Sequence, residues 1–239
     1  MRIPKIIHQI WSGIDGPLPE YFRILGETWK KTYPDWEYIQ WDNERMNVFI
    51  REHYPQWWDI YTRFPYNVQR WDAIRYLILY QMGGMYVDFD YESLNPITQL
   101  VDNKECCFAL EPDSHRKVFK RPVDQAFNNA LMLSVPGHPF MKKIIDGIFV
   151  EESLKGEWSS KDMCVLNTTG PWKLMDLYDD LSPREQEDIY LIPAKYVTPF
   201  DVPQAFRVRA GEESDELEKC LDEAYAVHYF FGNWRFDNR

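Results

Sequence analysis

The sequence predicts an α/β domain. Two short, β-rich apolar segments flank a helix-like segment near the start of the chain, and hydrophobic residues make up 45% of its 239 residues. A strand, a helix and a strand in this order favour a parallel pair joined by a crossover helix, which would begin an α/β sheet. No linker, repeat or low-complexity stretch divides the sequence, so a single domain over residues 1–239 is expected.

The first half of the chain alternates strand and helix signals. A helix is predicted over Val68–Met82, with Asn67 as its N-cap and the pair Gly83-Gly84 at its end. Before it, strands are predicted at Lys5–Trp11 and Trp36–Trp41, with a helix between them from Pro19 to about Thr32. A helix at Arg45–His53 and an aromatic loop or short helix at Pro55–Pro65 follow.

The second half has shorter predicted elements. Pro171 suits the first position of a helix, where a proline is tolerated. Strands are predicted at Cys106–Leu110 and Asn129–Val135, followed by a helix from Pro139 to about Val150 and an exposed polar loop at Glu151–Asp162. A helix from Pro171 to about Tyr178 and a strand at Ile189–Ile192 come next. The last elements are a loop-like segment at Val202–Leu217 and a late strand at Ala224–Phe231.

Charge and composition exclude several classes of protein. The 27 basic and 38 acidic residues give a formal charge of −11, which argues against a general nucleic-acid binder and weakens a purely electrostatic attachment to membranes. No apolar run approaches the roughly 20 residues of a spanning helix. The first residues do not resemble a signal peptide, and the four cysteines lack metal-ligand spacing. A cytoplasmic protein with reduced cysteines, with at most peripheral contact at the inner face of the membrane, is expected.

Two aspartates after the glycine pair are the strongest candidates for a metal site. Asp88 and Asp90 alternate with apolar residues in Met85-Tyr86-Val87-Asp88-Phe89-Asp90, so on a strand both would project from the same face. Neighbouring carboxylates repel each other, and burial strengthens that repulsion. A hard divalent cation would relieve it. The alternative is two surface acids at the end of a strand.

The helix before these aspartates carries a second candidate pair. Asp72 and Arg75 are the only charged residues between Trp71 and Met82, and a spacing of three places them on one helix face. They could form an ordinary exposed ion pair. Because the rest of this segment is apolar, we expect a buried pair or a pair in a cleft, where the arginine could hold a phosphate or sugar oxygen.

Single aromatic and histidine residues are ambiguous from the sequence alone. Trp11 would end the first strand, where it could stack on a base or pack in the core, and the same two interpretations apply to Trp234. His8 is expected to be a hydrogen-bonded core residue, whereas His228 could complete a metal site. A glycine-rich phosphate loop, a Gly-x-Ser-x-Gly elbow and a His-Glu-x-x-His motif are all missing from the sequence.

Several motifs in order resemble glycosyltransferase family 32, whose members have a sugar-binding region with a DXD motif. The resemblance runs nearly end to end, and the order and spacing of the motifs make it specific. The matching segments are Ile3-Pro4-Lys5-Ile6-Ile7-His8-Gln9-Ile10-Trp11, Asp72-x-x-Arg75-Tyr76, Gly83-Gly84-Met85-Tyr86-Val87-Asp88-Phe89-Asp90, Asn129-Ala130, Pro136-Gly137-His138-Pro139, Thr169-Gly170-Pro171, and His228 with Gly232-Asn233-Trp234.

The resemblance implies a GT-A fold, with one Rossmann-like mixed sheet flanked by helices, and a UDP- or GDP-linked sugar donor. By motif, Asp72 and Arg75 would hold the donor sugar, and Trp11 would stack on the base. Asn129 would lie near the sugar and the leaving group, and Trp234 would lie by the diphosphate. The acceptor would be a saccharide or a lipid-linked glycan.

The resemblance also implies a divalent metal, Mn²⁺ or Mg²⁺, and retention of anomeric configuration. Asp88 and Asp90 match the DXD pair; Asp90 would be the direct ligand, while Asp88 would also reach ribose or sugar hydroxyls. His228 and Asn233 are alternatives for the last ligand, and many members have serine where Asn233 stands.

Two other functions use the same residues. A metal-dependent hydrolase would release sugar as fast without an acceptor as with one. A non-catalytic carbohydrate-binding module would need no metal, and it has no evident use for four charged residues at these spacings. No carboxylate is assignable as a covalent nucleophile, so we expect the acceptor to attack from the side on which the leaving group departs.

Overall fold

The computed structural model describes residues 1–118, 124–155 and 158–232. A six-stranded mixed sheet with the order β2-β1-β3-β6-β5-β7 forms the centre, and β4 pairs with β8 in a small antiparallel sheet. The strands β1 to β8 are Ile6–Ile10, Glu37–Trp41, Gly84–Val87, Tyr91–Ser93, Cys106–Leu110, Phe127–Ser134, Ile189–Ile192 and Ala226–His228.

The described residues form eleven α-helices, with 3₁₀ turns between some of them. The helices α1 to α11 are Glu20–Thr32, Asn43–His53, Trp58–Arg63, Asn67–Met82, Pro139–Ile148, Lys161–Thr168, Pro171–Asp179, Pro183–Glu187, Ala194–Val197, Val202–Arg209 and Asp215–Leu221. Among them, no helix has the length and apolar character needed to span a bilayer.

The parallel opening of the sheet is confirmed. β1 pairs in parallel with β2 and with β3, and α1 connects the first two strands. β6 then runs antiparallel to β3 and to β5, which makes the sheet mixed. Apolar side chains fill both faces of the sheet because successive residues of a strand point to opposite sides. Tyr86 joins the core with α4 and α5, while its neighbour Met85 joins the core with α1.

The turn from α4 into β3 fixes where the two aspartates begin. Gly83 ends α4 at φ 67° and Gly84 follows at φ 98°. A Cβ at Gly84 would lie 2.6 Å from the carbonyl oxygen of Ile6, so only glycine fits beside β1. His8 donates from Nε2 to the carbonyl of Gly83 over 2.9 Å and is fully buried, which confirms its expected role in the core.

The expectation that both aspartates project from one strand is wrong. β3 ends at Val87, one residue before Asp88, and Asp90 lies in the turn that leads into β4. The backbone N–H of Tyr91 donates to the carbonyl of Asp88 across this turn. Asp88 therefore directly follows a central strand of the large sheet, whereas Asp90 directly precedes β4 of the small sheet.

Other elements also differ from the sequence predictions. Asn67 is the first residue of α4 rather than its cap; the backbone N–H of Tyr66 instead donates to the side chain of Gln69. Val202–Leu217 is not a loop, because Asp201 and Ser214 cap α10 and α11 by accepting backbone N–H groups. The elements that were not predicted include a 3₁₀ helix in the expected polar loop and α6 at its end, Glu151–Leu154 and Lys161–Thr168, together with α8 and α9. β8, Ala226–His228, is shorter than the late strand expected there.

Candidate active site

Four of the predicted site residues meet where the middle of α4 faces the end of β3 and the first half of β6. Arg75 is central among them. Its Nη1 donates to the carbonyl oxygen of Asn129 over 2.9 Å and lies 3.3 Å from Oδ1 of Asp88. Its Nη2 lies 3.3 Å from Oδ1 of Asp72. One guanidinium group therefore connects the helix, the end of the central strand and the neighbouring antiparallel strand.

Asp72 is held by contacts from three directions. Asn129 donates from Nδ2 to Oδ1 over 2.9 Å, and Thr169 donates from Oγ1 to Oδ2 over 3.0 Å. Burial raises the pKa of Asp72 to about 6, while Arg75 and the two hydrogen bonds oppose that rise. Both carboxylate oxygens are thus engaged, and the side chain has one fixed orientation.

Aromatic side chains surround the charged groups. The guanidinium of Arg75 lies 4.5 Å from the ring centre of Tyr86, and the hydroxyl of Tyr86 donates to Asp88 over 2.5 Å. The hydroxyl of Tyr76 accepts from Asn129 and donates to the carbonyl of Thr169. Burial opposes the charge of Arg75, but the neighbouring acids and tyrosines raise its pKa, so it stays cationic.

Asp88 is the most accessible member of this group. Its side chain is 31% exposed, compared with 7% for Arg75 and 6% for Asp72. A ligand that approaches the cluster therefore meets the carboxylate of Asp88 first, with the cationic Arg75 directly behind it.

Asp90 pairs with His228 on the small sheet. Oδ1 of Asp90 lies 3.2 Å from Nε2 of His228, and its Oδ2 accepts the backbone N–H of Phe231 over 3.0 Å. The imidazole stacks on the ring of Tyr91 at 4.3 Å and 8°. Burial disfavours both charges, but the pairing prevails: it lowers the pKa of Asp90 and raises that of His228.

Asp90 and His228 form an ion pair here, and the same two atoms would be available to a divalent cation as ligands. Neighbouring ligand atoms on a six-coordinate Mg²⁺ ion lie about 3 Å apart. This is close to the 3.2 Å between Oδ1 of Asp90 and Nε2 of His228. A nitrogen of this imidazole, Nδ1, is buried with no hydrogen-bond partner among the described residues, so the ring is positioned by stacking. The residues present fit a metal, with donor oxygens and solvent needed to complete the shell.

The described residues contain no group of three or more His, Cys, Asp or Glu side chains arranged to hold a metal. Asp88 directs Oδ1 toward Tyr86 and Arg75, whereas Asp90 directs Oδ1 toward His228. The two aspartates of the motif thus have different partners. Asn233 and Trp234, which were predicted to contribute to the metal and diphosphate sites, lie outside the described residues.

Trp11 lies next to the turn that carries the aspartates. Its indole ring is half-buried, packs edge-on against Phe89 at 6.5 Å and lies at a tilt of 59° to Phe22 at 5.7 Å. Its Nε1 donates to the carbonyl of Gly16 over 3.0 Å. The structure therefore places the predicted base-stacking residue against Phe89, the residue between Asp88 and Asp90.

Sequence reasoning did not single out Thr169, Tyr76 or Tyr86 as parts of the site. Thr169 is 97 positions from its partner Asp72, and no local pattern connects them. A signal was present, because Thr169 begins the Thr169-Gly170-Pro171 segment, one of the segments that carry the family resemblance.

Sequence comparisons found a family model and curated relatives that this chain resembles. Residues 19–107 match the family model described as a glycosyltransferase sugar-binding region containing a DXD motif. The chain is 33% identical over 235 residues to inositol phosphoceramide mannosyltransferase 2 of Schizosaccharomyces pombe. The aligned region covers 97% of this chain and 58% of that protein. It is 33% identical over 170 residues to mannosyl phosphorylinositol ceramide synthase CSH1 of Saccharomyces cerevisiae, covering 71% and 40% respectively. The chain spans about half the length of these relatives.

A solved structure shares the fold. The PaToxG glycosyltransferase superposes with a TM-score of 0.56 at 16% identity, covering 94% of this chain and 89% of that one. The mixed sheet, the DXD turn at the end of β3 and the family match thus agree. The chain belongs to glycosyltransferase family 32, the family whose sugar-binding region contains a DXD motif, and it has the GT-A fold.

Proposed function

We propose that this chain is a metal-dependent, retaining glycosyltransferase that moves a hexosyl group from a UDP- or GDP-linked donor to a saccharide or lipid-linked acceptor. The contact of one buried arginine, Arg75, with Asp72, with Asp88 and with the backbone of Asn129 carries this proposal. Such a cluster offers a fixed cation and oriented acceptors to a sugar diphosphate. The named relatives transfer mannose to inositol phosphoceramide, so mannose and an acceptor of that class are the first candidates.

Asp72 orients the donor in this proposal and does not act as a nucleophile. Its two oxygens accept from Asn129 and Thr169, and Arg75 lies beside it. A carboxylate that is bound on both oxygens has free lone pairs for a sugar hydroxyl, but it lacks the freedom to move to a reacting carbon. This arrangement supports direct transfer over a covalent intermediate.

Asp90 and His228 would hold the Mn²⁺ or Mg²⁺ ion, with Asp88 beside the donor and Asn233 as the alternative last ligand. When bound, the ion would neutralise charge on the diphosphate leaving group. Trp11 and Trp234 remain proposed contacts of the base and the diphosphate. In the transfer step, the bond between the sugar carbon and the diphosphate oxygen breaks while the acceptor hydroxyl oxygen bonds to the same carbon from the same side. The diphosphate oxygen takes the hydroxyl proton.

The test is a matrix of UDP- and GDP-sugars with Mn²⁺, Mg²⁺ or a chelator, each with and without inositol phosphoceramide or a mannose disaccharide as acceptor. We expect one donor to give a glycosylated product of unchanged anomeric configuration by NMR, dependent on metal. Sugar release at equal rates with and without acceptor would indicate a hydrolase. Glycan binding that survives Asp90→Asn without metal would indicate a binding module, and a trapped glycosyl-enzyme adduct would contradict direct transfer. The cytoplasmic location stays a prediction.

A further inference from the structure

A strip of three aromatic rings, of which Tyr21 and Phe206 are exposed and Phe231 is half-buried, lies beside the candidate site together with one exposed arginine. The ring of Tyr21 on α1 stacks on Phe231 at 5.0 Å and 16°. The guanidinium of Arg209 lies 4.5 Å from the ring centre of Phe231 and 5.6 Å from that of Phe206 on α10. We call these four residues, Tyr21, Phe231, Arg209 and Phe206, the aromatic strip.

The strip is widened by apolar residues on the same helix faces. Ile24 follows Tyr21 by one helical turn on α1 and is 53% exposed. Val202 precedes Phe206 by one turn on α10 and is 48% exposed, while Phe206 itself is 63% exposed. Single exposed apolar side chains are ordinary, but a connected set of this kind marks an interaction surface.

The strip carries an uncompensated positive charge. Arg209 forms no ion pair with an acidic side chain of the described residues; its Nη1 donates to the carbonyls of Tyr229 and Phe230 at 3.1 Å. The chain as a whole has a formal charge of −11. That overall charge opposes attachment to an anionic surface, so the apolar side chains of the strip would supply most of the binding, and Arg209 would pair with a phosphate group at the surface.

The strip is continuous with the candidate metal site. The backbone N–H of Phe231, whose ring lies in the strip, donates to Oδ2 of Asp90. On the other side, Phe22 contacts Tyr21 at 4.4 Å and Trp11 at 5.7 Å. A surface that engages the strip would therefore lie next to the candidate metal site.

We propose that the aromatic strip docks this domain on an anionic lipid bilayer. Phe206, Val202 and Ile24 enter the boundary between headgroups and acyl chains, and Arg209 pairs with lipid phosphate. The bilayer would thereby present a lipid-linked acceptor to Asp88 and Asp90. This inference rests on the proposed function only in that the acceptor is a membrane lipid.

Vesicle flotation of the full chain tests the docking without any turnover. The probes are vesicles of phosphatidylcholine alone and of phosphatidylcholine with phosphatidylserine. We expect wild-type protein to float with the anionic vesicles. Phe206→Ser should weaken binding about tenfold, since it removes an inserted ring. Arg209→Gln should weaken binding to anionic vesicles about fivefold and weaken binding to neutral vesicles less, because phosphatidylcholine carries a phosphate but no net charge.

The matched control is Val48→Ser, which removes an exposed apolar side chain from α2, outside the strip. It should bind as wild type does. Binding of Phe206→Ser equal to that of wild type, or no wild-type binding to either vesicle, would overturn the proposal. Donor turnover with a water-soluble acceptor is measured in parallel: turnover without vesicle binding refutes only the docking, and vesicle binding without turnover refutes only the proposed function.

Discussion

The side-chain amide of Asn129 donates to Asp72 over 2.9 Å and joins the antiparallel strand β6 to the helix α4. The same nitrogen donates to the hydroxyl of Tyr76 over 2.8 Å. Both donor hydrogens of the amide are therefore used, and both partners are buried. The orientation of Asp72 depends on a hydrogen-bond donor that only an amide provides at this position.

Asn129→Asp should abolish this arrangement. It replaces a donor with a second carboxylate beside Asp72, and like charges at hydrogen-bond distance repel strongly when buried. We expect kcat/KM for donor turnover to fall about a hundredfold and the free energy of unfolding to fall by about 2 kcal/mol at pH 8. Initial rates and urea unfolding measure the two effects. Asn103→Asp, in an exposed loop, is the control, and a wild-type rate in Asn129→Asp would contradict the assigned contact.

Asp90→Asn should raise the requirement for metal. The variant keeps the hydrogen bond that its second oxygen accepts from Phe231 but removes the negative charge facing His228. The Mn²⁺ concentration for half-maximal turnover should rise about a hundredfold. Asp146→Asn, which breaks an exposed pair with Lys142, should leave that concentration unchanged. If Asp90→Asn and wild type titrate alike, Asp90 does not bind the ion.

Gly26→Ala should perturb the DXD turn through Phe89. A Cβ at Gly26 on α1 would lie 2.9 Å from Cε1 of Phe89, the residue between the two aspartates. Alanine favours a helix by about 1 kcal/mol, but overpacking costs about 1–3 kcal/mol, so we expect a small net loss of stability and a several-fold lower turnover rate.

Gly147→Ala is the matched control for that variant. Its Cβ would also lie 2.9 Å from a neighbouring side chain, Leu177, but in the packing of α5 on α7. Its stability should change comparably while its turnover stays at the wild-type level. Equal losses of turnover in the two variants would show that Phe89 has no particular connection to the site.

His8 should make stability depend on pH. Burial lowers the pKa of His8 from 6.5 to about 4; the positive charge of Arg45 acts in the same direction, and the hydrogen bond that the ring donates to Gly83 opposes it. The unfolded chain therefore binds an extra proton between these values. The contribution of His8 to the free energy of unfolding is fully present above pH 6.5, and it falls by about 3 kcal/mol as the pH drops toward 4.

Urea midpoints across this range measure the effect. In His8→Gln the decline between pH 6.5 and 4 should be shallower, whatever the stability of the variant at neutral pH. The exposed His53 provides the control, since His53→Gln should keep the wild-type slope. Parallel pH profiles for all three proteins would refute the contribution of His8.

The elements that local patterns define were predictable from the sequence. The parallel opening of the sheet followed from the order of apolar segments, and the burial of Asp72 and Arg75 followed from the apolar helix around them. The caps of α10 and α11, Asp201 and Ser214, were also readable as local signals and could have prevented the error over that segment.

Contacts between distant segments were not predictable. Nothing near Asp72 indicates that Thr169 donates to it, and nothing near Asp90 indicates that Phe231 does so from 141 positions away. The alternating pattern around the aspartates suggested a strand, but the turn after Val87 directs Asp88 to Arg75 and Asp90 to His228. Tertiary pairing with β8 determines this separation, and a single sequence contains no measure of it.

Donor binding measured by calorimetry tests the central claim most directly. UDP- and GDP-sugars are titrated into wild-type protein with Mn²⁺ and again with a chelator. At least one donor should bind, with affinity about tenfold lower once the metal is removed, because the ion and Arg75 share the charge of the diphosphate. If no donor of either nucleotide binds in the presence of Mn²⁺, or if the chelator leaves the affinity unchanged, the metal-dependent nucleotide-sugar site does not exist.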